Sequence, residues 1–345
     1  AVYSSGFEIA ADIAIDALNA IDPENYRFQL ITADSGCDGR LAALAAQILV
    51  NSGVGGIAGA ACSGATLGAI SVASVAGVPM VSYASTSPAL TTADDGDHLF
   101  RVVPADDLQA RALVDIVKSN GLSNPGVLYM SNDYGVGLAD FFESAWKPDA
   151  VCKSASYDPS EGAYDAGALA ASVIDAGCDS VIMISYATDG AWIAEELHGQ
   201  GFKGHRFGAD TIADAGFINA SADQSTLDGI IATRPRQAGD SEQKSLFESA
   251  WSKAGGPAGA LYTHEVYDSV LLIGMALLSS ESDAAVAVAK TGVGFEGASG
   301  KHTFDAAGDV IGNGYDVCSF TYTAPSASFG CSQFWTIADG LSDMP

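Results

Sequence analysis

The sequence predicts an α/β protein: two doubly wound parallel-sheet lobes joined by three crossings. Three observations carry that prediction. Short apolar runs alternate with helix-like stretches over most of the 345 residues, a length of about two domains. Three of the runs, Val54–Ala61, Val78–Val81 and Gly126–Met130, lead directly into polar corners: Cys62-Ser63-Gly64-Ala65-Thr66, Ser82-Tyr83-Ala84-Ser85-Thr86-Ser87-Pro88 and Ser131-Asn132-Asp133-Tyr134-Gly135. Pro104, Pro235 and Gly300 sit between blocks, where the chain can pass from one lobe to the other.

Taken in order, the pattern opens with a helix over Phe7–Ala20, a strand at Arg27–Ala33 and an alanine- and leucine-rich helix at Arg40–Asn51. Strand Val54–Ala60, helix Ala65–Ala76 and strand Val78–Tyr83 follow, then a turn-rich loop and strand Leu99–Val103. The alternation restarts with helix Leu108–Asn120, strand Gly126–Met130, helix Tyr134–Trp146, strand Ala150–Ser156, helix Ala166–Ala176, strand Ser180–Ser185 and helix Gly190–Gly201. Asp106 and Asp189 have N-cap character. Helices at Ser241–Ala254 and Leu261–Leu278 come without a strand between them, and Lys301–Tyr322 reads as a hairpin turning at Asp305–Asp309. The expected lobes are 1–104 with 235–298, and 105–234 with 299–345. A fold of this type begins with a strand, so the first strand is expected to be absent from this chain, and the lack of a signal peptide is expected of a mature or trimmed form.

Composition narrows the function. There are 42 acidic residues against 15 Lys and Arg, a formal net charge of −27. Nucleic acid and anionic membranes need cations to neutralise phosphate, which makes them poor partners. The acidic residues are scattered, as at Asp94-Asp95 and Glu195-Glu196, and read as a solubility device. No apolar run approaches the roughly 18 residues of a membrane span. The six cysteines fall into three sequence-local pairs, Cys37/Cys62, Cys152/Cys178 and Cys318/Cys331. Six cysteines allow fifteen connectivities, so the pairing stays open on spacing alone. An even count points to an oxidising compartment, and the spacings are not those of a zinc site.

The polar corners carry the chemistry. Backbone N–H groups at a strand-to-helix corner have no intrahelical partner, and the helix dipole favours negative charge there. Several such corners line up at the carboxyl edge of a parallel sheet, where open α/β sheets bind ligands. The inference is a site for a small molecule that is anionic at one end. Other motifs fail their context tests. Gly292-Val293-Gly294-Phe295-Glu296-Gly297 matches GxGxxG but follows a helix. Gly53-Val54-Gly55-Gly56 precedes a strand, and His264-Glu265 lacks a second histidine. Ser63 has no nucleophile elbow, and Asp305–Asp309 lacks the glutamate of a calcium loop. No catalytic set, metal site or cofactor is expected.

The chain resembles solute-binding proteins of ABC transporters, in the group typified by the leucine/isoleucine/valine-binding protein. The likeness covers nearly all of it: Cys37, Cys62-Ser63, Ala84-Ser85-Thr86-Ser87-Pro88-Ala89-Leu90-Thr91, Asp133-Tyr134-Gly135-Val136-Gly137-Leu138, Tyr157-Asp158-Pro159, Phe207-Gly208-Ala209-Asp210, Tyr267-Asp268 and Gly297-Ala298-Ser299-Gly300. The resemblance implies a type I periplasmic binding fold whose lobes close on an α-amino acid. It places Ser63 on the ligand carboxylate, Thr86 on both polar ends and the Ala84 carbonyl on the ammonium. Tyr134 and Tyr186 would close over the ligand, and Tyr3 would cover its side chain. Asp210 would pair with the ammonium, standing where the typical member has glutamate. The alternatives are N-capping for Ser63 and Thr86, packing for the tyrosines and a local cap for Asp210. The resemblance further implies a Cys37–Cys62 bond; the other two local pairs depart from the typical member, and neighbour pairing is expected for them.

The expected function is that of a periplasmic, monomeric receptor that presents an aliphatic or small amino acid to a cognate ABC permease in the inner membrane. The alternatives are the same fold binding an amide, urea or carboxylate, and a sensory ligand-binding protein.

Overall fold

A computed structural model describes residues 4–21, 23–160, 162–237 and 239–344. The chain folds into two compact units, Ala1–Ala105 with Gln237–Asn313 and Asp106–Arg236 with Gly314–Pro345.

The first unit starts with helices α1 (Ser4–Ile21) and α2 (Gly39–Asn51), continues through β1 (Ile57–Ala58), α3 (Ser63–Ala73), β2 (Met80–Ser82) and β3 (Leu99–Arg101), and is completed later in the chain. The three strands form a parallel sheet in the order β1-β2-β3. Asp38 starts α2 by accepting from the amides of Arg40 and Leu41 at 2.9 and 3.0 Å. The alanine-rich inner face of α2 (Ala42, Ala45, Ala46) is buried.

The second unit begins with α4 (Asp106–Ser119), β4 (Pro125–Met130), α5 (Asp133–Trp146), β5 (Lys153–Tyr157), α6 (Ala166–Asp175), β6 (Ser180–Ile184) and α7 (Ala187–Gly199). It continues with β7 (His205–Gly208), α8 (Ala215–Ala220) and β8 (Ile231–Pro235). The chain then returns to the first unit as α9 (Glu242–Ala254), α10 (Thr263–Leu277), α11 (Ala284–Thr291), β9 (Phe295–Glu296) and β10 (Lys301–His302). It ends in the second unit with β11 (Tyr315–Thr323), β12 (Ser326–Thr336) and β13 (Gly340–Asp343). The large sheet runs β13-β12-β11-β8-β7-β6-β4-β5. From β5 to β8 its pairing is parallel, and from β8 through β11 and β12 to β13 it is antiparallel. Every residue of β6 is buried, as a strand covered by helices on both faces demands.

Three sequence expectations need correction. Arg27–Ala33 joins no ladder among the described residues, and Leu30 and Ile31 are exposed; an apolar pattern makes a strand only where a neighbour takes up its hydrogen bonds. The expected hairpin at Lys301–Tyr322 does not form. The turn at 305–309 exists, closed by the Asp305 amide donating to the Asp309 carbonyl at 2.8 Å. Its flanks, however, pair elsewhere: β10 with β9, and β11 with both β12 and β8. The boundary expected at 298/299 lies instead at 313/314. Buried Asp268 on α10 explains why 299–302 stays in the first unit. It accepts from the Ala298 and Ser299 amides at 2.6 and 2.9 Å and lies 3.1 Å from His302 Nε2.

Disulfides join Cys37 to Cys62, Cys152 to Cys178 and Cys318 to Cys331. The last spans directly paired residues of β11 and β12. Non-reducing peptide mapping is expected to recover these three pairs. Replacing Cys37 and Cys62 together by alanine should destabilise the first unit by about 3 kcal/mol, since the bond closes a loop of sequence separation 25. Urea unfolding measures it; an unchanged midpoint would mean the bond is not formed.

Candidate ligand-binding site

The polar corners of the first unit are built around hydroxyls. Thr66 Oγ1 accepts from the Ala60 amide at 3.0 Å and lies 2.8 Å from Ser85 Oγ. Ser82 and Ser85 donate their hydroxyls to the Ala60 carbonyl at 2.8 and 3.0 Å, and Ser82 Oγ accepts from the Ser85 amide at 3.1 Å. The loop after β2 is thereby tied to the corner after β1. Ser63, the first residue of α3, accepts the Ser87 amide at 3.2 Å and keeps a hydroxyl proton to donate. Thr86 is 1% exposed, and its Oγ1 is buried with no hydrogen-bond partner among the described residues. A buried hydroxyl left unmatched between satisfied neighbours is what a site shaped for a polar ligand contains. Ala84, half-buried, packs near Val103, Leu261 and Tyr262. Tyr3 lies outside the described residues.

In the second unit the predicted residues Tyr134 and Asp210 are in direct contact. Tyr134 follows Asp133 at the start of α5, a helix capped by Asn132 accepting the Gly135 amide at 2.9 Å. Glycine at 135 is required sterically, because a Cβ there would sit 2.1 Å from the Met130 carbonyl oxygen. The Tyr134 hydroxyl donates to Asp210 Oδ1 at 2.6 Å and lies 3.1 Å from Thr211 Oγ1. Burial, and then the Asp210 and Asp106 charges, push its pKa well above the usual phenol value, so it stays a donor. Tyr186 caps α7; its ring stacks on Tyr134 at 6.2 Å with 6° between planes, and its hydroxyl accepts from Asn132 Nδ2 at 3.4 Å.

Sequence reasoning missed several members of these sets. Asp106 has cap character in the sequence, yet it is fully buried at the start of α4. With its amide oriented to satisfy its neighbours, Gln109 donates to Asp106 Oδ1 at 3.2 Å and accepts from Thr233 Oγ1 and the Asp210 amide at 2.9 and 3.0 Å. One side chain therefore bridges both buried acids. Asp189 accepts from the Tyr157 hydroxyl and, at 3.2 Å, from the Tyr186 amide, so it fixes the Tyr186 corner. Spacing offered no signal for Gln109, and for Asp189 only its N-cap character. Asp106 did carry one, as an acid directly after the crossing at Pro104.

Burial lifts the Asp189 carboxyl to about 6 against an ordinary 3.8, although its hydrogen bonds pull the other way. A raised folded-state pKa means that its stabilising contribution is complete below pH 4 and is lost as pH rises through 6. The stability of the protein relative to Asp189→Asn should therefore fall by about 3 kcal/mol between pH 4 and pH 7. Parallel urea titrations of the two proteins measure this; a constant difference across that window would refute it.

Among the described residues no group of His, Cys, Asp and Glu could hold a metal ion, and no helix is long and apolar enough to cross a membrane.

Comparison with known proteins places this geometry in context. Residues 7–323 match the family described as receptor family ligand binding region. A leucine-, isoleucine-, valine-, threonine- and alanine-binding protein of Pseudomonas aeruginosa is 25% identical over 319 residues, 90% of this chain and 83% of that protein. Metabotropic glutamate receptor 6 of Oryctolagus cuniculus is 34% identical over 97 residues, 28% of this chain and 11% of the receptor. The branched-chain amino acid transporter substrate-binding protein LivJ of Streptococcus pneumoniae, solved in complex with isoleucine, superposes with a TM-score of 0.80 at 22% identity, covering 96% of this chain and 95% of that one. The fold is that of the type I periplasmic binding proteins.

Proposed function

The chain belongs to the family of receptor ligand-binding regions, and from that premise we propose that it is an extracytoplasmic, periplasmic receptor for an aliphatic or small α-amino acid. It would be a monomer that delivers its ligand to a cognate ABC permease, and the proposal includes closure of its lobes on the ligand. The observation that carries it is Asp210: a 1% exposed carboxylate anchored by Tyr134, with a second buried acid, Asp106, on the far side of Gln109. Two buried acids at one place favour a cationic group on the ligand. The first unit supplies the complement. Ser63 and the unmatched Thr86 hydroxyl stand at corners suited to a carboxylate. Ala84 would accept from the ammonium, and Tyr186 would pack on the ligand beside Tyr134. Tyr3 keeps its proposed place over the ligand side chain.

A ligand with both ends satisfies both sets; one lacking the ammonium leaves the acids without it. Charge-assisted hydrogen bonds contribute about 1.5–3 kcal/mol each. The relatives named above bind amino acids by their own descriptions, which supports the reading. The local similarity to a glutamate receptor favours a second reading, a sensory protein on the same fold, and this second reading shares the amino-acid site.

Asp210→Ala is expected to weaken binding of L-leucine by about 2–4 kcal/mol, some thirty- to thousandfold, and to leave binding of the deaminated acid, 4-methylpentanoate, almost unchanged. Isothermal titration decides. If the native protein prefers the deaminated acid, or if Asp210→Ala binds leucine equally well, the protein is a carboxylate receptor instead.

A further inference from the structure

The loop that carries Thr86 hangs on one buried cation. Arg101 ends β3 and is 1% exposed, the only Lys or Arg in the core among the described residues. Its Nε and Nη2 both donate to the Asp309 carboxylate, Nη2 at 2.8 Å from Oδ2. Nη2 also donates to Thr91 Oγ1 at 2.6 Å, and Thr91 in turn donates to Asp309 Oδ2 at 2.7 Å. Asp309 is itself fixed, its amide donating to Asp305 Oδ1 at 3.0 Å. The preceding Gly308 has φ +76°, and a Cβ on it would lie 2.1 Å from the Leu99 carbonyl oxygen; its own carbonyl accepts the Arg101 amide at 3.0 Å. The turn at 305–309, which reads in the sequence as a hairpin tip, is thus the seat of an ion pair whose cation is buried.

The third nitrogen makes the functional connection. Nη1 donates to the Ser87 carbonyl at 2.9 Å and reaches the Ser85 carbonyl at 3.4 Å, the two carbonyls that bracket Thr86. A trans peptide holds its C=O and N–H on opposite sides. Turning the Ser85 carbonyl toward Arg101 therefore turns the Thr86 N–H away from it. Only a planar fork with five donors can grip a carboxylate, a hydroxyl and two carbonyls at once; a lysine head cannot.

We propose that Arg101 is a positioning residue: braced by Asp309 and Thr91, it fixes the Ser85–Thr86–Ser87 backbone and presets the donors that receive the ligand carboxylate. The role of the carboxylate rests on the amino-acid reading; the preset backbone is a property of the protein alone. Arg101 touches no ligand in this scheme and acts through the loop.

The test uses the full chain and three variants, Arg101→Lys, Asp309→Asn and Thr91→Val. In ligand-free protein, amide hydrogen exchange in a peptide spanning residues 83–90 should quicken about tenfold in Arg101→Lys and measurably in the other two. Peptides from α10 and from the second unit should keep their native rates. Titration with L-leucine and L-leucinamide then reads the consequence. Arg101→Lys should lose about ten- to hundredfold in leucine affinity and much less for leucinamide, so that preference for the carboxylate collapses. A purely structural role would quicken exchange throughout the first unit and weaken both ligands alike. Native exchange at 83–90 in the variants, or a preserved leucine-to-leucinamide ratio, overturns the proposal. Thr91 is exposed, so Thr91→Val removes only the brace and decides the matter should Arg101→Lys fail to fold. If the native protein binds neither probe, the amino-acid reading falls, and the exchange measurement still decides whether Arg101 positions the loop.

Discussion

Acids buried in a chain short of cations are the constraint on which the rest depends. The sequence has 42 acidic residues and 15 Lys and Arg, and Asp106, Asp189, Asp210, Asp214 and Asp268 are all buried. A buried carboxylate without partners costs several kcal/mol. The single core arginine among the described residues is committed to Asp309. Neutral donors hold much of the remainder. Asp268 takes two backbone amides and the Ser299 hydroxyl, Asp189 takes the Tyr157 hydroxyl and the Tyr186 amide, and Asp214 takes the Phe217 amide at 3.2 Å.

Neutral donors of that kind are concentrated at particular places in an α/β fold, the corners where strands give way to helices. The first amides of each helix there have no partner within it. Asp106 begins α4, Asp189 lies in the first turn of α7, Asp210 opens the short helical turn after β7, and Asp214 caps α8. Parallel topology collects the corners after β6 and β7 at one edge of the sheet. The acids and the ligand-contact candidates therefore coincide for a physical reason: the donors that make burial of an acid tolerable are found where a parallel sheet presents its binding edge. Tyr134, raised in pKa and locked as a donor onto Asp210, is the side-chain version of the same solution.

How much of this could be read from the sequence follows from the range of each interaction. Local signals were legible: apolar runs for β2, β4 and β6, the polar corner Ser131–Gly135 that opens α5, and hydroxyl-rich corners at Ser63 and Ser85–Ser87. Tyr134 and Asp210, 76 residues apart, came together only through resemblance, since no spacing rule links them. The misread pieces depend on distant partners. Arg27–Ala33 has a strand pattern without a ladder, and the turn at 305–309 gave a hairpin because nothing local reveals that Asp309 answers Arg101, 208 residues earlier. One clue was available: an arginine inside the apolar run Leu99–Val103 is tolerable only when a carboxylate is buried beside it. Gln109, which links Asp106 to the Asp210 amide, has no sequence signature at all.

The same charge imbalance bears on ligand choice. A formal charge of −27 gives a field that repels anions at a distance, screened over about 8 Å at physiological salt. A free carboxylate would approach against that field and find at the first-unit corners the hydroxyls of Ser63 and Thr86, with Arg101 already neutralised by Asp309. Neutral donors act only at contact and cannot offset repulsion over longer distances. A zwitterion has no net charge, so the field orients it without repelling it, and its two ends are sorted only at close range. On the proposed reading, its ammonium would be matched by the acids around Asp210 and its carboxylate by hydroxyls and helix N-termini. An acidic chain can therefore accept a carboxylate most readily when the compensating cation belongs to the same molecule, which links an overall composition suited to solubility with the chemistry of a buried site.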